Sequence, residues 1–479
     1  MKDYQDRTIK IALPKGRFLS PTANMLAEIG LEFEGYSSDA KQYRLSSKKL
    51  SSVSAKILQE KDIPIQVAVG NYDLGICGLD WIEEFVVKYP TGALVKVSSL
   101  NYGEGGIYVA TSSLSGIANL ADLSTQRRDY RIVSEYPNLA EAFALKRRIR
   151  KFRIFPVWGA AEAYPPENAD LAVFWGKDGA YVAARGLLPL KKLLSVTAFL
   201  IANRESLESK DLSDILACFS SQLTVDLRTS EENESDIFRE LKIYDIPWSA
   251  KEINLALPDG HQQSPTVQFL KRAGLVFDGY SEKVVSRRPS AELEWLGVKV
   301  IRPQDMPQQV ANGNFDLAIT GEDWLLDHLY RFPASPVEKL LTLGFGTVKV
   351  VAAVSQEMPV NNIDDLRVLI QKNPELIKSP LKVASEYTNI ADKHLRDNHI
   401  HPYKLIPTWG ASEAFLPDDA DMLIDNTQTG KTLKQHKLKI IDEIFQSSAC
   451  LIANKNSLMS SDKKDKVELL TQKLRAALE

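Results

Sequence analysis

Short apolar runs alternate with longer amphipathic stretches along this chain. The apolar runs include IKIALP, YDLGICG, GIYVAT and YRIVSEY, and a typical amphipathic stretch is SPTANMLAEIG. Runs of this length are typical of buried strands, whereas apolar residues at helical spacing are typical of surface helices. Because strands that alternate with helices form largely parallel sheets, the pattern predicts α/β lobes. We expect side chains at the carboxyl ends of the strands, such as Lys15, Asp73 and Glu135, to border a ligand cleft.

The whole pattern occurs twice. The segment IALPKGRFLSPTANMLAEIGLEFEGYS begins at Ile11, and LALPDGHQQSPTVQFLKRAGLVFDGYS begins at Leu255. Further matched segments follow in the same order: VAVGNYDLGICGLDW and VANGNFDLAITGEDW, SEYPNLA and SEYTNIA, VWGAAEAYPPENADLAVF and TWGASEAFLPDDADMLID, and LIANRESL and LIANKNSL. Since the offset between partners drifts by only a few residues, the pattern indicates a tandem duplication and not a short-period solenoid.

The duplication predicts the domain organisation. We expect a first copy over residues 1–225, a linker over residues 226–250 and a second copy over residues 251–479. The polar, acidic run from Thr229 to Asp236 favours an exposed linker at the join.

Composition and charge exclude several classes of protein. Of the 479 residues, 44% are apolar and 25% are charged, which is ordinary for a globular protein and unlike a disordered chain. The formal net charge of −3 excludes the basic surplus of a general nucleic-acid binder. The 3 cysteines lack paired-ligand spacing and argue against a disulfide scaffold. The sequence has no run of about 18 apolar residues and no signal-peptide pattern, so we expect no membrane span and a cytoplasmic protein.

The histidines do not predict a metal site. All 6 lie in the second half of the chain, and only His394, His399 and His401 come close together. Their spacing does not place three imidazoles on one helix face, so we expect no protein-bound zinc.

The segment LIDNTQTGKTLKQHKL, which begins at Leu423, has the composition of a phosphate-binding loop. Gly430 lets the backbone approach an anion, and Thr429 and Thr432 offer hydroxyl donors. Asp425 ends the preceding apolar run, where it can accept hydrogen bonds from sugar hydroxyls. Strand, acid and loop in this order predict a site for a ribose 5-phosphate. For the motif alone, a helix cap with a turn glycine is an equally open interpretation.

Three cations are candidates for polyphosphate contacts. Lys15 and Arg17 flank Gly16 in LPKGR, directly after the first strand, where exposed backbone N–H groups are also expected. Arg302, in VIRPQDMP of the second copy, stands at a predicted strand end. Taken singly, such residues are more often solvated surface residues.

In order, the motifs ALPKGR, DLGIxGxD, SEYPN, GxxEA and DxxxTGxTL resemble the catalytic domain of ATP phosphoribosyltransferase, which makes the first committed step of histidine biosynthesis. The resemblance covers both copies. It implies that each copy is a two-lobed α/β unit like the type II periplasmic binding proteins, with mostly parallel sheets and the active site between the lobes. It also implies transfer of the phosphoribosyl group of phosphoribosyl pyrophosphate to N1 of ATP, with release of pyrophosphate. Mg²⁺ would enter on the polyphosphate substrates.

The resemblance further implies roles for individual residues. Asp425 would hold the ribose hydroxyls, and Glu413, in GASEA, would face the same pocket. The 5-phosphate would be held by Gln428, Thr429, Gly430, Lys431 and Thr432. Gly321 and Asp323, in DLAITGED, would border the nucleotide. The family cations that face pyrophosphate or triphosphate oxygens are matched by Lys15, Arg17 and Arg302.

The first copy departs from the family pattern in the phosphoribosyl loop, which reads FWGKDGAYV. Phe174 replaces Asp425, and Asp178 replaces Thr429. Phenylalanine cannot accept a ribose hydroxyl, and a carboxylate about 4 Å from a phosphate repels it by an energy on the order of a kcal/mol. We therefore predict that this loop is inactive. Tyr181 also replaces the hydroxyl donor Thr432.

The second copy departs at the cations instead. It reads LPDGH, with Asp259 for Lys15 and His261 for Arg17, although it has Arg302 where the first copy has Gln59. We therefore hypothesise one working site per chain, on the second copy, to which the first copy lends its Lys and Arg as a pseudo-dimer partner.

Other interpretations remain open. The first copy could be a structural or regulatory relic, and the whole chain a catalytically degenerate paralogue or a small-molecule-binding module of the same fold. The chain resembles the short form of the family, which works with a subunit resembling histidyl-tRNA synthetase, so the resemblance implies an oligomer with such a partner. The expected small-molecule partners are ATP and phosphoribosyl pyrophosphate.

Overall fold

The computed structural model describes residues 8–37, 43–47, 52–126, 128–219, 252–283, 285–372, 380–410 and 412–478. The predicted linker over residues 226–250 lies outside these ranges. The chain divides into two units. Unit 1 comprises Met1–Pro156, Ala169–Asp245 and Thr408–Ala414, and unit 2 comprises Val157–Asn168, Ile246–Pro407 and Phe415–Glu479. Each unit therefore contains most of one repeat and a short segment from the other repeat.

The first repeat builds two sheets. Its strands are β1 (Ile9–Pro14), β2 (Arg44–Ser46), β3 (Val53–Leu58), β4 (Leu74–Gly78), β5 (Leu94–Ser99), β6 (Gly105–Ser112), β7 (Tyr130–Ser134), β8 (Phe152–Pro156), β9 (Leu171–Gly176), β10 (Leu187–Val196) and β11 (Ala198–Asn203). One sheet has the order β2–β3–β1–β4–β11–β5 and the other β10–β6–β9–β7–β8. We call the layer around the first sheet lobe A and the layer around the second lobe B.

Helices cover these sheets, as the alternating pattern predicts. They are α1 (Leu19–Glu28), α2 (Ile63–Ala68), α3 (Leu79–Lys88), α4 (Asp122–Thr125), α5 (Pro137–Lys146), α6 (Gly179–Ala183), α7 (Arg204–Ser209) and α8 (Ser213–Phe219). A 3₁₀ turn over Gly16–Phe18 links β1 to α1. Separate apolar clusters fill lobe A and lobe B.

The second repeat has the same architecture. Its strands are β12 (Ile253–Pro258), β13 (Phe277–Tyr280), β14 (Val285–Ala291), β15 (Leu296–Ile301), β16 (Leu317–Gly321), β17 (Val337–Thr342), β18 (Val348–Ser355), β19 (Leu381–Ser385), β20 (Tyr403–Pro407), β21 (Met422–Thr427), β22 (Leu438–Ser447) and β23 (Ala449–Asn454). The lobe A sheet has the order β15–β12–β16–β23–β17, and the lobe B sheet β20–β19–β21–β18–β22. Strands β13 and β14 form a two-stranded ribbon.

The helices of the second repeat also correspond to those of the first. They are α9 (Gln263–Arg272), α10 (Met306–Ala311), α11 (Glu322–Arg331), α12 (Ile363–Lys372), α13 (Thr388–Asp397), α14 (Lys431–Gln435), α15 (Lys455–Met459) and α16 (Ser461–Ala476). Among the described residues, no helix is both long enough and apolar enough to cross a bilayer.

Each of the four lobe sheets combines parallel and antiparallel strands. In lobe A of the first repeat, β1 pairs in parallel with β3 and β4, whereas β11 runs antiparallel to β4 and β5. The antiparallel strand arises because the chain enters lobe B after β5 and returns to lobe A along β11. Two crossings of this kind create a cleft between the lobes at the carboxyl ends of the parallel strands. The predicted α/β class and the repeated two-lobed unit are confirmed.

Candidate active site

The cleft of unit 2 contains a cavity of about 170 Å³. Residues from both lobes of the second repeat line it, including Asp259, His261, Gln262, Arg302, Asp323, Tyr387 and Asn426. Asp259 and Arg302 directly follow the parallel strands β12 and β15, and Asn426 lies on β21. The strand ends therefore bring Asp259, Arg302 and Asn426 together. The expectation that Asp73 borders such a cleft is wrong, because this residue precedes β4 at the amino end of the sheet, where it accepts from the N–H of Lys10 at 2.8 Å and pairs with Lys210 at 3.0 Å.

A hydrogen-bonded chain connects the two lobes beside this cavity. Asn426 Nδ2 donates to the hydroxyl of Tyr387 at 2.7 Å, and that hydroxyl donates to Asp323 Oδ2 at 2.8 Å. Burial raises the pKa of Tyr387, and so do the nearby carboxylates of Asp323 and Asp425. Burial also raises the pKa of Asp323, although the hydrogen bond from Tyr387 opposes it. The tyrosine is thus held protonated, as a donor between the lobes.

Two guanidinium groups share one carboxylate at the rim of the cavity. Arg287 Nη1 donates to Asp259 Oδ2 at 2.7 Å, and Arg302 Nη1 donates to Asp259 Oδ1 at 3.2 Å. Glu162 lies on the far side of Arg287, with 3.4 Å between Oε1 and Nε. Burial alone would lower the pKa of Arg287, but its hydrogen bond to Asp259 and the charge of Glu162 raise it. The rim is therefore a network of fixed ion pairs.

Two acceptors at the cavity have no partner in the described part of the chain. The Oε1 atoms of Gln262 and Gln304 are buried, and both residues line the cavity. A buried amide oxygen without a donor is unfavourable by roughly 1–3 kcal/mol, so a bound molecule or water that donates to it is stabilised.

The predicted phosphoribosyl loop follows β21. Asp425 is half-buried, whereas Thr429 and Lys431 are exposed. Gly430 has a φ of 68°, which a residue with a side chain rarely adopts, and its N–H donates to Thr427 Oγ1 at 3.0 Å. The loop is folded by its own hydroxyl groups and leaves its polar side chains open to solvent.

The predicted cations of the first repeat have partners within unit 1. Arg17 Nη2 donates to Asp80 Oδ2 at 2.6 Å and to Glu60 Oε2 at 3.0 Å. Lys15 Nζ donates to the hydroxyl of Tyr43 at 2.8 Å. The positive charge of Arg17 therefore compensates the negative charges of two buried carboxylates of the same unit.

Glu413 belongs to the segment Thr408–Ala414, which groups with unit 1, and it does not line the cavity described above. The predicted place of this carboxylate in the phosphoribosyl pocket stays a prediction. The equivalent residue of the first repeat, Glu162, lies in unit 2 beside Arg287.

Large side chains occupy the corresponding cleft of the first repeat. The guanidinium carbon of Arg17 lies 4.5 Å from the Phe18 ring centre and 5.0 Å from that of Trp175. A Cβ atom built on Gly105 would lie 2.6 Å from Trp175 Nε1, so only glycine leaves room for this ring. At the three positions of Arg17, Phe18 and Trp175, the second repeat has the smaller polar residues His261, Gln262 and Asn426.

The loop of the first repeat also differs from its counterpart. Asp178 caps α6 by accepting a hydrogen bond of 2.7 Å from the N–H of Tyr181. A carboxylate thus uses a backbone donor that an incoming phosphate would need. Phe174, at the position of Asp425, is buried in β9. The inactivity of this loop stays a prediction.

Two carboxylates at the cavity are engaged by neighbouring donors. Asp259 accepts from two arginines, and Asp323 accepts from Tyr387 and from the N–H of Trp324. Among the described residues, no group of three or more His, Cys, Asp or Glu side chains could hold a metal ion.

Sequence reasoning missed Arg287, Tyr387 and Asn426. Arg287 stands in a polar ribbon without a motif, but the change from Lys15 to Asp259 could have indicated a compensating cation nearby. Tyr387 lies in the repeated string SEYTN and Asn426 beside the predicted Asp425, so both positions were visible in the sequence.

Comparisons with known proteins give one consistent family. The family model described as ATP phosphoribosyltransferase matches residues 59–223 and 302–476, more than half of the chain. The ATP phosphoribosyltransferase of Sulfurisphaera tokodaii is 33% identical over 231 residues, which cover 47% of this chain and 73% of the relative. That of Methanocaldococcus jannaschii is 32% identical over 228 residues, which cover 47% and 73%.

Two solved structures are similar to about half of the chain. The ATP phosphoribosyl transferase (HisG:HisZ) complex from Thermotoga maritima matches with a TM-score of 0.38 and 24% identity, covering 47% of this chain and 98% of that chain. The periplasmic aliphatic sulphonate binding protein SsuA from Escherichia coli matches with a TM-score of 0.30 and 18% identity, covering 46% and 69%.

Proposed function

Because the chain belongs to the ATP phosphoribosyltransferase family, we propose that it transfers the phosphoribosyl group of phosphoribosyl pyrophosphate to N1 of ATP, and that the second repeat carries the reaction. The bond from C1′ to the pyrophosphate oxygen breaks, and a bond from C1′ to N1 forms. Pyrophosphate leaves with the bonding electron pair. This is the first reaction of histidine biosynthesis.

The observation that carries this proposal is the contrast between the two clefts. Equivalent positions hold Arg17, Phe18 and Trp175 in one repeat and His261, Gln262 and Asn426 in the other. In the first repeat Arg17 packs against the Phe18 and Trp175 rings, whereas in the second repeat the equivalent side chains line a cavity. A substrate needs that space.

The residues of unit 2 fit a displacement at an anomeric carbon. Such a reaction has an oxocarbenium-like transition state, so a protein accelerates it by positioning groups and stabilising charge, without a covalent nucleophile. Asp425 accepts hydrogen bonds from the ribose hydroxyls, and Gly430 with its neighbouring hydroxyls and Lys431 holds the 5-phosphate. Arg302, at the cavity rim, stabilises the negative charge of the departing pyrophosphate. Gly321 and Asp323 border the nucleotide.

Magnesium enters this proposal with the substrates. Asp259 and Asp323 at the cavity already accept hydrogen bonds from neighbouring side chains, so in this proposal the phosphate oxygens are the ligands for Mg²⁺. No step needs a resident metal ion.

Asp259 favours a second candidate, a catalytically inert paralogue. This residue stands where the first repeat has Lys15, so the second repeat places a carboxylate where a cation is expected. An inert paralogue would bind nucleotide without forming product.

A matched pair of substitutions tests the proposal. Asp425→Asn removes the charged acceptor for the ribose hydroxyls and should lower kcat/KM for phosphoribosyl pyrophosphate by about tenfold to a thousandfold. Asp178→Asn makes the same change in the loop of the first repeat, where an amide still caps α6, and should leave kcat/KM unchanged. The measurement is phosphoribosyl-ATP formation by the purified chain, followed spectroscopically. Equal losses in both variants would refute the assignment of the site to the second repeat.

The same assay addresses the proposed partner. We expect the chain to form an oligomer with a subunit resembling histidyl-tRNA synthetase. If the purified chain alone turns over at the rate of a complex with such a subunit, the partner is not required for catalysis.

A further inference from the structure

The residue that directly follows the first strand of lobe A has opposite charges in the two repeats: it is Lys15 in the first and Asp259 in the second. In unit 1, Lys15 Nζ donates to Tyr43 at 2.8 Å. In unit 2, the equivalent residues are Asp259 and Arg287, and Arg287 Nη1 donates to Asp259 Oδ2 at 2.7 Å. The cation thus comes from the turn after the first strand in one repeat and from the facing ribbon strand β14 in the other.

The equivalence of these positions rests on hydrogen bonds that both repeats share. Tyr36 donates to the carbonyl oxygen of Pro14 at 2.8 Å, and Tyr280 donates to that of Pro258 at 2.7 Å. Lys15 and Asp259 directly follow these prolines, and Tyr43 and Arg287 follow the tyrosines at the same spacing.

The carboxylate of Asp259 is fully engaged. Its side chain is only 9% exposed, and each oxygen accepts from a different guanidinium, one from Arg287 and one from Arg302. Its negative charge is therefore compensated twice and does not repel a phosphate as a single carboxylate would.

The same network fixes the direction of Arg302. Its side chain is 42% exposed and lines the cavity, so the guanidinium is open to a ligand. A Cβ atom on Gly159 would lie 3.0 Å from Arg302 Nε, so the backbone of that segment lies close against this side chain. Arg287, held between Asp259 and Glu162, keeps the carboxylate in place.

We propose that Arg287 is a positioning residue that replaces, within unit 2, the lysine carried by the first repeat at position 15. It neutralises Asp259 and holds that carboxylate as a fixed acceptor for Arg302, whose guanidinium then faces the departing pyrophosphate. The second repeat thereby completes its own set of cations without Lys15 or Arg17. This inference rests on the proposed function for its catalytic consequence, but its effect on pyrophosphate binding does not.

The inference can be tested by giving the second repeat the residues that the first repeat has at these two positions. Arg287→Tyr leaves Asp259 with a single guanidinium and should weaken binding of inorganic pyrophosphate, measured by calorimetry, by about tenfold. Asp259→Lys places three cations together and should distort the rim. The double variant, Asp259→Lys with Arg287→Tyr, recreates the lysine–tyrosine pair of the first repeat. It restores a cation but removes the acceptor of Arg302, so binding should recover to a value between those of Arg287→Tyr and the original chain. If Arg287 only supported the fold, adding Asp259→Lys to Arg287→Tyr would not restore pyrophosphate binding.

A second variant guards against misfolding. Arg287→Lys keeps the charge but loses the planar guanidinium, so its affinity for pyrophosphate should lie between that of the original chain and that of Arg287→Tyr. Arg272→Ala, an exposed arginine on α9, is the control and should bind pyrophosphate like the original chain.

Several outcomes would overturn the inference. They are unchanged pyrophosphate binding in Arg287→Tyr, a double variant no better than the worse single one, or a loss in Lys15→Ala as large as that in Arg287→Tyr. If the original chain binds pyrophosphate through Arg287 but forms no phosphoribosyl-ATP, the proposed function fails and this inference stands. If it forms product and Arg287→Tyr has the same kcat/KM, the inference alone fails.

Discussion

His328 shows how a single residue can make the stability of unit 2 depend on pH. It is buried on α11, where Nε2 pairs with Ser335 Oγ at 2.8 Å, and the Phe332 ring packs against it at 5.2 Å. Burial lowers the pKa of this histidine from 6.5 to about 4, and the charge of Arg331 acts in the same direction. The folded protein therefore binds fewer protons at this group than the unfolded chain.

The sign of the effect follows directly. Because the folded pKa is lower, the contribution of His328 to stability is complete above pH 6.5 and is lost as the pH falls toward 4. We expect His328→Gln to flatten the pH dependence of the free energy of unfolding in this range, measured by urea denaturation. His399→Asn, an exposed histidine whose positive φ asparagine tolerates, is the control. An unchanged slope in His328→Gln would show that other groups cause the acid sensitivity.

At the scale of elements, both repeats use the same contact between their lobes. Glu84, on α3, accepts hydrogen bonds from the N–H groups of Asn138 and Leu139 in the first turn of α5. In the second repeat, Asp327 on α11 accepts from the first turn of α13. A carboxylate of lobe A thus satisfies helix donors of lobe B that have no partner within the helix.

This contact gives a stability prediction. Asp327→Ala leaves two N–H groups of α13 without an acceptor and should lower the free energy of unfolding by about 1–2 kcal/mol, while Asp327→Asn, which keeps one acceptor, should have a smaller effect. The measurement is urea denaturation. Asp364→Ala, an exposed aspartate in the first turn of α12, should change stability by less than about 0.5 kcal/mol. Equal losses at both positions would contradict the argument.

Much of this element-level description could be predicted from the sequence. Apolar runs located the strands, the internal repeat located the matching lobes, and Asp425 with Gly430 marked a loop. The change from Lys15 to Asp259 indicates that a compensating cation lies nearby, but not that Arg287 supplies it. The two residues are brought together by the ribbon strand β14, and their separation along the chain follows no motif. The packing of Arg17 against Trp175 in the first repeat was also missed. Trp175 follows Phe174 in an apolar run, and two adjacent aromatic residues in such a run are equally typical of ordinary core packing.

At the scale of the whole molecule, unit 2 depends on a segment from the first repeat. Glu167 accepts hydrogen bonds from Arg288 and, at 2.8 Å, from Lys299. The Trp158 ring packs edge-on against Trp324 at 5.7 Å. Sequence pattern predicts which residues are buried but not which repeat buries them, so this exchange was not foreseen.

The exchange predicts how a separated second repeat behaves. Residues 252–478 alone lack Glu167 and Trp158, so Arg288 and Lys299 lose their carboxylate and the core loses an aromatic contact. We expect this fragment to melt at a lower temperature than unit 2 in the full chain. A peptide spanning residues 157–168 should raise its melting temperature, and the same peptide with Glu167→Gln should raise it less. A fragment as stable as the full chain would contradict the prediction.

The pH dependence of this rescue also follows from the contacts. Burial alone would raise the pKa of Glu167, but hydrogen bonds from Arg288 and the charge of Lys299 lower it below its ordinary value of 4.5. The carboxylate therefore stabilises unit 2 above pH 4.5, and its contribution is lost as the pH falls further.

The exchanged segments also bear on the history of the gene. Unit 2 includes Val157–Asn168 of the first repeat, and unit 1 includes Thr408–Ala414 of the second. If the gene were split between the repeats, each product would lack one segment of its own unit and would carry one segment that belongs to the other unit. The need of unit 2 for residues 157–168 is therefore a reason to keep both halves in one chain that does not depend on any reaction of the first repeat. The segment that unit 2 requires lies outside the loop that holds Phe174 and Asp178, so substitutions in that loop leave this folding requirement untouched.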